Sequence, residues 1–152
     1  MKKEYKKIAV GGTFDKFHKG HEKLLSTAFE LGDEVLIGIT SDTFANNKTH
    51  EIEPLNQRIS KIKEFVKKYD TPYEIKEIFD ANGTADTDSK LDAIVVSKET
   101  QSSAENINML RQQNKLHDLD IIVIDWIMAE DRAPISSTRI RKGEINKKGI
   151  LL

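Results

Sequence analysis

Short apolar runs alternate along the chain with stretches that repeat apolar residues every three or four positions. The runs are "IAV" at 8–10, "EVLIGIT" at 34–40, "YEIKEI" at 73–78, "DAIVVS" at 92–97 and "DIIVIDWI" at 120–127. Runs this short and rich in valine and isoleucine predict strands buried on both faces. Between them, "HEKLLSTAFELG" sets Leu24, Leu25, Ala28 and Phe29 on one helical face and stops at Gly32, a common residue for leaving a helix. "PLNQRISKIKEFVKKY" opens on Pro54 and repeats Leu55, Ile59, Ile62, Val66 and Tyr69, with lysines opposite. A third helix is predicted from about Ala104 to Asn114, with Ser102 and Glu105 as its capping box.

Strands that alternate with helices predict a parallel sheet with right-handed crossovers, covered on both faces. The expected fold is an α/β, doubly wound, Rossmann-like five-stranded sheet, formed as one domain over residues 1–152. Ligands of such sheets sit beyond the carboxyl ends of the strands, so chemistry is expected in the loops that begin near 11, 41, 79, 97 and 128. "DANGTADTDSK", 80–90, reads as a surface loop.

Charge narrows the candidates. Lysine and arginine total 24 against 25 acids, a formal net charge of −1, so there is no general electrostatic reason to bind nucleic acid. Any anion must be caught by a local cluster. The absence of cysteine excludes disulfides, thiolate metal sites and thiol nucleophiles, and suits a reducing cytosol. No membrane-length apolar run and no signal-peptide pattern is present, and a soluble cytoplasmic protein is expected.

The local cluster lies in "GGTFDKFHKGH", 11–21, directly behind the first strand. Gly11 and Gly12 allow a sharp turn and a close backbone approach, and Thr13 supplies a hydroxyl. If a helix begins near Lys19 or Gly20, His21 lies in its first turn, where free N–H groups and the helix dipole favour an anion. His18, three residues earlier, can face the same phosphate, and Gly20 between them leaves room for it. Near the other end, Ser136, Ser137 and Thr138 in "ISSTRIR" can cap a short helix or hold phosphate oxygens, with Arg141 one turn on. Lys48 and Lys98 follow the second and fourth strands, although a lone loop lysine is usually just solvated.

The first segment resembles the HxGH signature of the nucleotidyltransferase superfamily, and "ISSTRIR" resembles its ISSTxxR partner. "GGTFDKFHKGHEKLL", "DEVLIGITSD", "DAIVVSKET" followed by "AENIN", and "ISSTRIRKGEI" together resemble the archaeal and eukaryotic-type phosphopantetheine adenylyltransferases, over essentially the whole chain. The resemblance implies AMP transfer from ATP to 4'-phosphopantetheine, giving dephospho-coenzyme A and pyrophosphate. It implies His21 on the α-phosphate, Lys48 between the reacting phosphates, and Thr13 with Lys98 on the acceptor phosphate. Gly12, Phe14, His18, Gly20, Ser136, Ser137, Thr138 and Arg141 would hold ATP.

Mg2+ would ride on the ATP phosphates with no protein metal site, and Asp15 would organise the loop, with metal contact through water as the second reading. A phosphate monoester loses its second proton near pH 6, so no general base is required. The implied partners are ATP and 4'-phosphopantetheine, with no nucleic acid and no membrane; the oligomeric state, a monomer included, stays open. The rivals are an HxGH enzyme for glycerol 3-phosphate, FMN or nicotinamide mononucleotide, and a catalytically silent nucleotide-binding module. His50 and His117 read as surface groups, Trp126 as core, and "RIRKGEINKK" as a solvated amphipathic tail.

Overall fold

The computed structural model describes residues 3–45, 52–80 and 83–152. The elements run β1 (Tyr5–Gly12), α1 (Lys19–Leu31), β2 (Gly32–Thr40), α2 (Asp42–Ala45), α3 (Leu55–Val66), β3 (Tyr73–Ile78), β4 (Ala93–Ser97), α4 (Gln101–Gln113), β5 (Asp120–Ile124) and α5 (Ser137–Arg141). The five strands form one sheet in the order β3-β2-β1-β4-β5, every pair parallel. The expected doubly wound α/β sheet is therefore the observed one. Winding goes outward from β1 through β2 to β3, then restarts on the other side with β4 and β5. β1 and β4 flank the point of reversal, where the outgoing loops diverge and leave a crevice.

Period-two alternation along the central strands divides the core. Ile8, Val10, Val35, Ile37, Ile39, Ala93 and Val95 face α1 and α3 and pack with Leu25, Phe29, Ile62 and Val66. Ala9, Leu36, Ile94 and Val96 face the opposite way and pack under α4 with Ala104 and Ile107. A third, smaller cluster of Ala129, Ile135 and Ile145 holds the chain after β5. Two isolated bridges, Met128 with Pro134 and Ile145 with Leu151, brace that segment.

Several expectations change. Burial on both faces holds for β1, β2 and β4 but not for the edge strands: in β3, Tyr73, Glu74, Lys76 and Glu77 are exposed. β5 ends at Ile124, so Trp126 lies in the loop beyond it, half-buried and outside the apolar clusters rather than in the core. α3 ends at Val66, before Tyr69. α4 starts at Gln101 with Thr100 as N-cap, so Ser102 falls inside the first turn and forms no capping box. The Thr100 hydroxyl is occupied instead by the β4 terminus, accepting from the Ser97 N–H at 3.2 Å.

Gly32 joins α1 to β2 without a loop, but in extended geometry (φ −109°), not the left-handed one. Close packing explains it: a Cβ there would lie 2.3 Å from Ile8 Cγ2. The 83–90 turn is more than surface. Arg111, fully buried in α4, donates to the carbonyls of Ala85 (2.7 Å) and Asp88 (2.8 Å) and pins it.

Candidate active site

A cleft of about 580 Å3 opens at the carboxyl ends of β1, β4 and β5, a size suited to a small-molecule ligand. Its floor is the loop from β1 to α1. Phe14 (φ 57°) and Lys16 (φ 51°) both adopt left-handed backbone, bending the chain so that His18 enters α1 as an extended N-cap. The cap is reciprocal. The Gly20 N–H donates to His18 Nδ1 at 3.0 Å, and the His18 N–H donates to His21 Nδ1 at 3.1 Å. Here two imidazoles perform what Ser/Thr and Glu perform in the usual capping box.

This geometry fixes the chemistry of both rings. Each Nδ1 accepts a hydrogen bond, so each neutral ring carries its proton on Nε2 and retains one donor there. The rings stack with centroids 3.8 Å apart, and Phe14 and Phe17 flank His21 at 5.3 and 5.5 Å. Burial lowers the His18 pKa from 6.5 to about 4. His21 is held well below its ordinary value by burial and then by the neighbouring His18. Both are neutral hydrogen-bond donors at neutral pH rather than fixed cations. A Cβ on Gly20 would meet His18 Cε1 at 2.8 Å, so the glycine serves the histidine cap as well as ligand space.

The turn at 136–138 forms the facing wall. Ser136 caps α5 by accepting from the Arg139 N–H at 3.2 Å. The Ser137 hydroxyl donates to the Asp15 carbonyl at 2.5 Å, across 122 residues of sequence. Arg141 pairs with the Asp15 carboxylate and donates to Thr138 Oγ1 at 3.2 Å. The other Asp15 oxygen accepts from the Glu53 N–H at 2.9 Å. Asp15, 2 % exposed, thus ties three segments together and presents no free carboxylate to the cleft. Among the described residues no group of three His, Cys, Asp or Glu side chains is placed to hold a metal ion.

Gly12, Thr13, Phe14, His18, Gly20, His21, Ser136, Ser137, Thr138 and Arg141 all line this one cleft. Phe14 does so from behind, its ring in the apolar core at 1 % exposure. Lys98 is not brought in: its ammonium pairs with Asp125 at 3.3 Å, both side chains are exposed, and it does not line the cleft. Lys48 and His50 lie outside the described residues. His117 is exposed, as expected, with Nε2 2.9 Å from the Leu91 carbonyl. Trp126, read as core, lines the cleft.

Three hydroxyls missed in the sequence, Ser97, Thr100 and Ser103, line it from the β4–α4 side. The hydroxyl-rich "SKETQSS" was their signal. Arg58 was missed too. It is buried in the first turn of α3 against the Thr13 carbonyl, and as one arginine among the lysines of that helix it gave little sign.

The sheet order, the histidine-capped α1 and the facing serine-threonine turn define a nucleotidyltransferase fold, and the chain belongs to the cytidylyltransferase-like family, whose model matches residues 9–143. Among solved structures, a protein of unknown function from Archaeoglobus fulgidus superposes with a TM-score of 0.74 at 33% identity, covering 86% of this chain and 99% of that one. A pantoate-beta-alanine ligase from Francisella tularensis, at 17% identity and a TM-score of 0.58, covers 93% of this chain and 67% of the other and shares the fold.

Within that class the chain falls in the phosphopantetheine adenylyltransferase group. It is 47% identical to the phosphopantetheine adenylyltransferase of Methanothermobacter thermautotrophicus over 152 residues, 100% of this chain and 93% of the relative. With that of Methanopyrus kandleri it shares 41% over 146 residues, 94% and 92% of the two. Among the described residues no helix is long and apolar enough to cross a membrane.

Proposed function

We propose that the chain catalyses transfer of AMP from ATP to 4'-phosphopantetheine, forming dephospho-coenzyme A and pyrophosphate. The observation that carries this reading is the pair of Nε2–H donors fixed by their own backbone cap, facing a hydroxyl turn across a cleft at the β1/β4 reversal. The full-length likeness to proteins named for the reaction supports it. In the reaction an oxygen of the acceptor phosphate attacks the α-phosphorus of ATP as the bond to pyrophosphate breaks. The acceptor is mostly dianionic at pH 7, its second pKa being about 6, so no side chain need remove a proton. The protein aligns two anions and stabilises charge on the α-phosphate and the leaving group.

Neutral donors suit that task. A neutral imidazole gives a hydrogen bond without lending a full charge to the bound ground state, so its contribution grows as negative charge develops. His21 would act at the α-phosphate, His18 and the 136–138 turn at the β- and γ-phosphates, and Thr13 at the acceptor phosphate. Lys48 would bridge the reacting groups. Mg2+ would enter as part of the MgATP substrate, with each Asp15 carboxylate oxygen already engaged, one by Arg141 and the other by the Glu53 N–H.

Pyrophosphate release from MgATP is the test, comparing 4'-phosphopantetheine with glycerol 3-phosphate, FMN and nicotinamide mononucleotide, each repeated with CTP. Turnover confined to ATP with 4'-phosphopantetheine is expected. Turnover with another pair would replace the acceptor while keeping the phosphate-gripping site, and ATP binding without turnover would reduce the chain to a binding module.

A further inference from the structure

Arg58 is a fully buried cation in the first turn of α3, on the helix face that also carries Ile62 and Val66 into the core. An aliphatic residue would pack there without the cost of desolvating a guanidinium. Its hydrogen bonds show what the charge does instead. Nε donates to the Glu53 carbonyl at 2.7 Å, Nη1 to the carbonyls of Thr13 (3.0 Å) and Thr40 (2.8 Å), and Nη2 to the Asp42 carboxylate at 2.7 Å. These four partners belong to three segments: the loop after β1, the end of β2 with the start of α2, and the chain leading into α3.

The node is reinforced through Glu53. Besides accepting from Arg58 it donates its N–H to Asp15 and accepts the Lys16 N–H on Oε1 at 2.9 Å. Asp42 and Glu53 bracket the stretch that contains Lys48 in the sequence. Thr40 Oγ1 in turn donates to Thr13 Oγ1 at 3.2 Å, so both threonines sit around the same guanidinium. Among the described residues, no hydrogen bond of Arg58 reaches His18, His21 or the 136–138 turn.

We propose that Arg58 is a positioning residue that fixes Thr13, Asp42 and Glu53 relative to one another, and so governs acceptor capture and turnover but not ATP affinity. This rests on the reaction proposed above. Only a planar fork of five donors can hold three carbonyls and a carboxylate at these angles; a lysine keeps the charge and loses the fork. A displacement of about 1 Å at a phosphate-gripping group is enough to cost about 100-fold in rate.

The test compares wild type with Arg58→Lys in steady-state kinetics, with the phosphopantetheine acceptor varied at saturating MgATP, and in MgATP affinity by calorimetry. Arg58→Lys is expected to lower kcat about 10- to 100-fold and raise the acceptor KM about fivefold or more, with the MgATP Kd within about twofold. A folded variant with wild-type kcat and acceptor KM, changed only in melting temperature, would overturn the assignment. So would a defect confined to ATP binding. If Arg58→Lys does not fold, Asp42→Ala decides, because that carboxylate is half-exposed and its removal takes away the acceptor of the Nη2 bond: a raised acceptor KM supports the assignment and an unchanged one overturns it. An inactive wild-type protein would instead sink the proposed reaction itself.

Discussion

The two walls of the cleft grip in different ways. On the α1 side the donors are imidazoles whose tautomers are set by their own helix cap, so their Nε2–H groups are fixed before any ligand arrives. On the 136–138 side the hydroxyls belong to a five-residue helix whose place depends on tethers to the opposite wall, Ser137 to the Asp15 carbonyl and Arg141 to the Asp15 carboxylate. One wall is preorganised locally and the other by a long-range clamp. The distinction predicts which substitutions damage the fold, which damage the chemistry, and which do both.

The clamp carries the largest expected effect. Asp15→Ala removes the partner of Arg141 and the acceptor of the Glu53 N–H, and breaking a buried ion pair costs about 3 to 5 kcal/mol. The expected result is a lowered urea midpoint together with weakened ATP binding, because the second wall loses its anchor. Unchanged stability would mean that the 136–138 turn holds itself. His21→Ala should separate from this: kcat falls about 10²- to 10³-fold, as for loss of one transition-state donor, while MgATP affinity changes far less. A steady-state comparison of kcat with ATP Kd checks it, and unchanged turnover would remove His21 from the chemistry.

Acid should dismantle the locally organised wall. The His18 pKa is about 4 in the folded protein and about 6.5 in the unfolded chain, so between those values the unfolded state binds the extra proton. Stability from this group is complete above about pH 6.5, declines as pH falls and is gone below about pH 4, a loss of about 3 kcal/mol. Protonating Nδ1 would also remove the acceptor for the Gly20 N–H. His18→Asn, which can still cap, should flatten this part of the profile in urea unfolding at pH 7 and pH 5. An equal slope in wild type and variant would place the titration elsewhere.

The fold was legible because its signal is local and repeated: valine-isoleucine runs separated by helical periods leave few alternatives to a parallel sheet. Edge position was written in the charges of "YEIKEI", which a covered strand rarely carries, but a reading by apolar runs alone passes over them. The two cleft-lining segments, 11–21 and 135–141, were readable as motifs. What joins them was not. The pairings of Asp15 with Arg141 and Ser137 span more than 120 positions, and nothing in either segment's own spacing requires them. Lys98 stands at its strand end as expected, and its pairing with Asp125 of the neighbouring loop is likewise a contact that its own spacing does not announce.

The smallest expected effects separate two adjacent hydroxyls of the clamped wall. A hydroxyl has one proton to give, and phosphate oxygens of ATP only accept. Ser137 already gives its proton to the Asp15 carbonyl, so donation to a phosphate would have to break that tether. Thr138 Oγ1 accepts from Arg141, which leaves its own proton for the nucleotide. Ser137→Ala should therefore lower stability by about 1 kcal/mol and leave the ATP Kd nearly unchanged, whereas Thr138→Val should raise the Kd about 5- to 10-fold with little loss of stability. Calorimetric titration of both variants with MgATP, beside their thermal unfolding, resolves the pair. The reverse pattern would show that ATP displaces the Ser137 tether, and the second wall would then be assembled by its ligand.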